Sequence, residues 1–180
     1  LGLNPKYQPQ EIRYVIDDAQ PRLLFAMAGF EGRTYTELVH SLQADYGCIT
    51  HTVFITESIP NTQSWAEFMA LADSIDHDAL AQRKRQIDTM DPALLVYTSG
   101  STGKPKGALL SHYGLCFGSE VGSSHLALRE PRILCNFPIN HVACVADTCC
   151  VNLVAGGNIV FQERFDPAQV LQTIERERLT

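Results

Sequence analysis

Two spacings of apolar residues divide the chain, one near 3.6 and one near 2, and each change of spacing marks a new element. Pro9 to Ala19 sets Ile12, Val15 and Ile16 on one helical face, with Pro9 in the first turn where its missing N–H is not needed. Arg22 to Met27 reads as a short apolar strand. Thr34 to Gln43 reads as a helix with Leu38, Val39 and Leu42 inward. Thr50 to Thr56 alternates and is β-branched, which predicts a strand. Ser64 to Ala72 returns to helical spacing through Trp65, Phe68, Met69 and Ala72. The charged stretch Asp73 to Asp91 reads as a solvated helix or linker.

The second half begins with ALLVYT, Ala93 to Thr98, a continuous apolar run expected of a strand buried on both faces. Ala108 to Leu110 reads as a short strand, and Ser111 can cap a helix running to about His125. Ile133 to Phe137 reads as a strand. His141 to Ala155 reads as an apolar helix stopped by Gly156 and Gly157. A strand from Asn158 to Gln162 and a helix capped by Asp166, with Pro167 at its first position, complete the pattern. Strands alternating with helices predict an α/β fold: a mainly parallel sheet with flanking helices, built from βαβ units.

Composition narrows the functional classes. With 180 residues, 45% hydrophobic and 19% charged, the chain can bury a core and has no disordered character. The net charge is −6 and no Lys/Arg-rich run occurs, so nucleic acid is not an expected partner. No apolar stretch is long enough to span a bilayer; Val142 to Ala155 is short and broken by Asp147 and Asn152. Six cysteines occur without a CxxC pair, four of them in segments read as buried, which fits reduced thiols of a cytoplasmic protein. A zinc site from His141, Cys144 and Cys149 matches no common ligand spacing. The sequence opens on Leu1, and both ends read as cuts in a longer polypeptide.

The stretch that carries chemistry is Thr98-Ser99-Gly100-Ser101-Thr102-Gly103-Lys104-Pro105-Lys106-Gly107. Gly100, Gly103 and Gly107 admit backbone angles and close approach that a Cβ would block. Successive N–H groups in such a loop form an anion-binding concavity. Thr98, Ser99, Ser101 and Thr102 add hydroxyls able to donate to phosphate or accept toward a metal. Lys104 and Lys106 add positive charge on either side of Pro105. A Walker loop is excluded: Lys104 is followed by Pro105 rather than Ser or Thr, and four residues do not separate Gly100 from Gly103. The expected ligand is a polyphosphate.

YTSGSTGKPKGALLSH, Tyr97 to His112, resembles the phosphate loop of the adenylate-forming (AMP-binding) superfamily, of the acyl-CoA synthetase or long-chain fatty acid–CoA ligase type. FPINHVACVAD, Phe137 to Asp147, resembles that family's P-x-x-H motif through Pro138 and His141. Leu153 to Thr180 and the opening LNPKYQPQEIRYVIDDAQPRLLF resemble family segments as well; the likeness is weakest between Gly29 and Asp91.

The resemblance implies an enzyme that activates a small carboxylic acid, expected to be a fatty or other apolar acid, with ATP and Mg²⁺ and passes the acyl group to coenzyme A. It assigns phosphate binding to Thr98, Ser99, Gly100, Ser101, Thr102, Gly103, Lys104 and Lys106, with Ser99 and Thr102 toward Mg²⁺. Lys106 matches the family's loop lysine and Lys104 is auxiliary. Lys106 and His141 are the expected catalytic residues, His141 beside the carboxylate pocket. The bland alternative for His141 is a capping histidine at a helix start, and His112 reads as part of a helix start. No YGxTE-type motif, ribose-binding Asp motif, hinge or C-terminal adenylation lysine occurs. Residues 1–180 are therefore expected to be part of the large N-terminal domain without its C-terminal domain, inactive alone and prone to self-association through exposed sheet edges. Two other readings stay open: an adenylation domain that loads a carrier protein, for which Asp147 leaves room, and a non-catalytic ATP/AMP-binding module.

Overall fold

The computed structural model describes residues 1–98 and 105–180. They form two compact units, Pro5–Ile87 and Asp88–Thr180, the latter joined by Leu1–Asn4.

In Pro5–Ile87, helix α1 (Pro9–Ala19) has the expected bounds and buries Ile12, Val15 and Ile16. Strand β1 (Leu23–Ala26) is followed by a hairpin, β2 (Gly29–Phe30) and β3 (Arg33–Thr34). The hairpin was not foreseen. Its turn residues Glu31 and Gly32 both have positive φ, 49° and 78°, as a tight two-residue hairpin requires. Glu at such a position hides the turn from a sequence reading, which looks for Asn or Asp before the glycine.

Helix α2 (Thr36–Asp45) buries Val39 and Leu42. Strand β4 (His51–Phe54) is the centre of a three-stranded parallel sheet, between β1 and β5 (Gln63–Ser64). That position corrects the expected in–out alternation: Thr52, Val53 and Phe54 are all buried, because a central strand is covered on both faces. Helix α3 (Trp65–Ala70) carries a capping box. Glu67 N–H donates to Ser64 Oγ at 3.2 Å, and Ser64 N–H donates to Glu67 Oε2 at 2.8 Å. Trp65 and Phe68 pack edge-on against Phe25, at 6.0 and 5.2 Å between ring centres. Helix α4 (His77–Arg85) has no buried residue, as its charge predicts.

In the other unit, β6 (Pro92–Thr98) and β7 (Lys106–Ser111) form an antiparallel ribbon. The expectation that ALLVYT is buried on both faces is wrong: no residue of β6 is buried. A two-stranded ribbon with one helix against it leaves apolar side chains facing outward. That helix, α5 (His112–His125), contacts both strands and starts where Gly114 N–H donates to the Ser111 hydroxyl at 3.1 Å.

Strand β8 (Arg132–Cys135) leads into a run of π-helical turns, Ala143–Cys150, which continues as α6 (Val151–Val154) and returns to β9 (Asn158–Phe161), parallel to β8. This is a βαβ unit with an unusual helix, since π turns are rare and concentrate at functional sites. Gly156 at φ 72° ends the helix. A Cβ on Gly157 would collide with the Pro131 carbonyl oxygen and lie 2.6 Å from Asn152 Oδ1. Helix α7 (Pro167–Glu177) starts on Asp166, whose carboxylate accepts from Gln169 N–H at 2.9 Å. Its end is tied to β8: Thr180 N–H donates to Arg132 O at 2.9 Å and Arg132 Nε to Glu177 O at 2.7 Å.

The architecture is α/β with parallel sheets and several helices. Among the described residues, no helix is long and apolar enough to cross a membrane.

Candidate phosphate-loop site

Of the residues expected to hold phosphate, Thr98 and Lys106 are described. Ser99, Gly100, Ser101, Thr102, Gly103 and Lys104, with the metal role given to Ser99 and Thr102, lie outside the described residues. The structure brings Thr98 and Lys106 together. They are opposed partners at the open end of the β6–β7 ladder, and the Thr98 hydroxyl donates to Lys106 O at 3.4 Å. Both are exposed. The Lys106 ammonium is thus the exposed donor suited to an anion at this end of the ribbon, while the Thr98 hydroxyl proton is engaged by the Lys106 carbonyl.

Gly107 faces Tyr97 across the ladder, and a Cβ there would lie 3.0 Å from Leu95 Cδ1. The glycine therefore lets the Leu95 and Tyr97 side chains lie over the backbone beside Lys106. Sequence reading missed this pairing. It took β7 to begin at Ala108, because Lys106 and Gly107 carry no strand signal of their own.

His141 stands apart, at the start of the π-helical run. It is exposed, and its Nδ1 accepts from Ala143 N–H at 3.1 Å. Its carbonyl accepts from Cys144 N–H at 3.0 Å. The capping role is therefore present in the geometry. It leaves Nε2 as the ring atom available to another group, whatever the role of His141 in substrate binding. His112 opens α5 and donates its N–H to Asp91 O at 3.1 Å, a helix-start role as expected.

All six cysteines are free. Only Cys135 and Cys144 are buried and Cys116 is exposed, so the expectation of four buried thiols is too high by the rest of the helix. Among the described residues, no three His, Cys, Asp or Glu side chains converge to hold a metal, so His141, Cys144 and Cys149 form no such site. An open polar groove of about 500 Å³ lies in Pro5–Ile87, bordered by Gln43, His51, Thr52, Asn61 and Gln63. It involves none of the loop residues.

A family model described as AMP-binding enzyme matches residues 1–180. The chain belongs to the AMP-binding enzyme family. Among curated relatives of this AMP-binding chain, the indoleacetate–CoA ligase of Aromatoleum aromaticum is 31% identical over 181 residues, covering 100% of this chain and 33% of that protein. A feruloyl-CoA synthase of Amycolatopsis is 41% identical over 92 residues, 50% of this chain and 18% of that protein. Among solved structures, the anthranilate CoA ligase AuaEII in complex with anthranoyl-AMP superposes with a TM-score of 0.81 at 23% identity, over 99% of this chain and 33% of that one. That likeness establishes the fold. The AMP-binding chain spans about a third of the length of such relatives.

Proposed function

We propose that the protein activates a small carboxylic acid with ATP, forming an acyl-adenylate and releasing pyrophosphate, and then transfers the acyl group to the thiol of coenzyme A. The observation that carries this reading is the family match along the whole chain, phosphate loop included. Residues 98–104 and Lys106 hold the β- and γ-phosphates in this reading. The Lys106 ammonium meets charge developing on the departing pyrophosphate, and the loop hydroxyls orient it. The hydroxyls of Ser99 and Thr102 suit a hard cation, and Mg²⁺ would supply further charge compensation when bound.

His141 borders the carboxylate pocket, with its Nδ1 engaged in capping and its other ring nitrogen toward substrate. The acid is apolar and in the first instance aromatic. Two observations support this: the substrates named for the two relatives, and the run of apolar residues after His141. Coenzyme A rather than a carrier protein is supported by the names of those same relatives. A cytoplasmic setting is supported by six free thiols. Residues 1–180 serve as the phosphate-binding part of a larger catalytic unit, because the further motifs that adenylation needs are not among them.

The test is ATP–pyrophosphate exchange by the native protein with indoleacetate, ferulate and straight-chain fatty acids in parallel. Exchange stimulated by an aromatic acid is expected. Exchange with fatty acids alone would revise the substrate class, and exchange with no acid would overturn the enzymatic reading.

A further inference from the structure

Two buried thiols meet beside the helix that His141 opens. Cys135 ends β8 and Cys144 lies in the π-helical run, each 1% exposed. Their Sγ atoms are 3.7 Å apart. Cys149, half-buried, lies five residues further along the same π-helical run and is near enough to add to the upward shift of the Cys144 thiol. The π geometry is what allows this. In an α-helix, residues five apart diverge by about 140° around the axis. The wider π turn, with its i→i+5 repeat, brings positions 144 and 149 closer to one face of the run.

We propose that Cys135 and Cys144 are a disulfide-forming dithiol, a modification site for two-electron oxidants of the hydroperoxide class. Cys149 is the entry point because it is the partly accessible member. Its thiolate attacks hydrogen peroxide, the O–O bond breaks, and Cys149 becomes a sulfenic acid with loss of one water. Cys144 attacks that sulfur and a second water leaves, giving a Cys144–Cys149 disulfide. Cys135 then attacks Cys144, and the Cys149 thiol is restored with the proton that Cys135 gives up. The sum is two thiols oxidised, one peroxide reduced and two waters formed.

Burial, with its two thiol neighbours, pushes Cys144 up to about 12, which keeps its thiolate scarce and its attack on the Cys149 sulfur slow. Closing the pair to a bonded length of about 2.05 Å draws the end of β8 toward the helix. Cys144 N–H is bonded to the His141 carbonyl, so the pull is transmitted to the helix start that His141 caps.

The test is mass spectrometry on the native protein. It is treated with hydrogen peroxide, alkylated with iodoacetamide and digested without reductant by a protease that cuts between Cys135 and Cys144, where no Lys or Arg occurs. The expected product is a linked peptide pair joining Cys135 to Cys144, lighter by two hydrogens, reversed by dithiothreitol and absent from Cys135→Ala. Cys149→Ala should slow its formation several-fold. Because the link is read in the wild-type chain, a variant that fails to fold does not decide the matter. Recovery of Cys135 and Cys144 as separately alkylated thiols, after Cys149 and Cys116 have been consumed, would overturn the proposal. So would links confined to other cysteines.

Discussion

Pro5–Ile87 and Asp88–Thr180 bury opposite kinds of residue. The first hides Ile12, Val15, Ile16, Val39, Leu42, Ile49, Val53 and Phe54, the branched and aromatic side chains of an ordinary core. The second hides Cys135 and Cys144 among Ser119, Ser123, Thr148, Asn152 and Thr173. Its large apolar groups face outward: Leu109 is 65% exposed, Phe165 69%, and Tyr113 and Phe117 stack in the open on α5. The half that bears the phosphate loop therefore does not hold itself together by bulk burial. It relies on ladders, caps and close backbone contacts, and it keeps apolar surface for other company. The half without the loop carries the branched and aromatic core, although Phe25, Leu71 and Ile75 are exposed there too.

The largest effect should come from that core. Phe54→Ala is expected to cost about 3–5 kcal/mol, while Phe165→Ala in the other unit stays within about 0.5 kcal/mol. Urea denaturation of each variant measures both, and Trp65, the one tryptophan in the chain, reports on the first unit by fluorescence. Equal costs would erase the contrast. Next, Lys106→Ala should lower ATP–pyrophosphate exchange by on the order of 100-fold without moving the melting temperature, because the residue is exposed and its role is charge. Unchanged exchange would remove Lys106 from the site.

Glycines sharpen the comparison further. Gly157→Ala should cost about 1–3 kcal/mol, since Pro131 and Asn152 occupy the space. Gly47→Ala, with nothing within 4 Å, should be neutral or stabilise by up to about 1 kcal/mol. Paired thermal melts decide it. The smallest effect is one of pH. The Ser64 N–H and hydroxyl hold the Glu67 carboxyl below its ordinary value. The capping box of α3 is therefore intact above the usual carboxylate range and is lost as pH falls through the lowered value. In Glu67→Gln, which has no carboxyl to titrate, the acid-side change in Trp65 fluorescence should flatten, and an unchanged acid limb would count against the cap.

The amphipathic helices were legible because burial follows their spacing: α1 and its three buried residues came out as read, and so did the caps at Ser111 and Asp166. The strands were legible as strands but not by environment. Nothing local distinguishes β4, covered on both faces, from β6, left open, because the difference lies in which strands arrive beside them. The π run was invisible since Ala143 to Cys150 is equally apolar under either helical repeat. At the candidate site, the phosphate role of the loop rests on residue type, and residues 99–104 lie outside the described ones. The Thr98–Lys106 pairing was not legible, because it is set by register across the ladder. For His141, the structure supplied the capping bond that the sequence offered only as an alternative.

The Thr98–Lys106 pair has a kinetic consequence. Thr98 and Lys106 lie eight residues apart in sequence, and the closure cost of bringing them together is met when the ribbon folds. Re-forming this end of the ladder after a local opening is therefore a short-range event, zipping outward from the Tyr97–Gly107 pair instead of waiting on a long chain search.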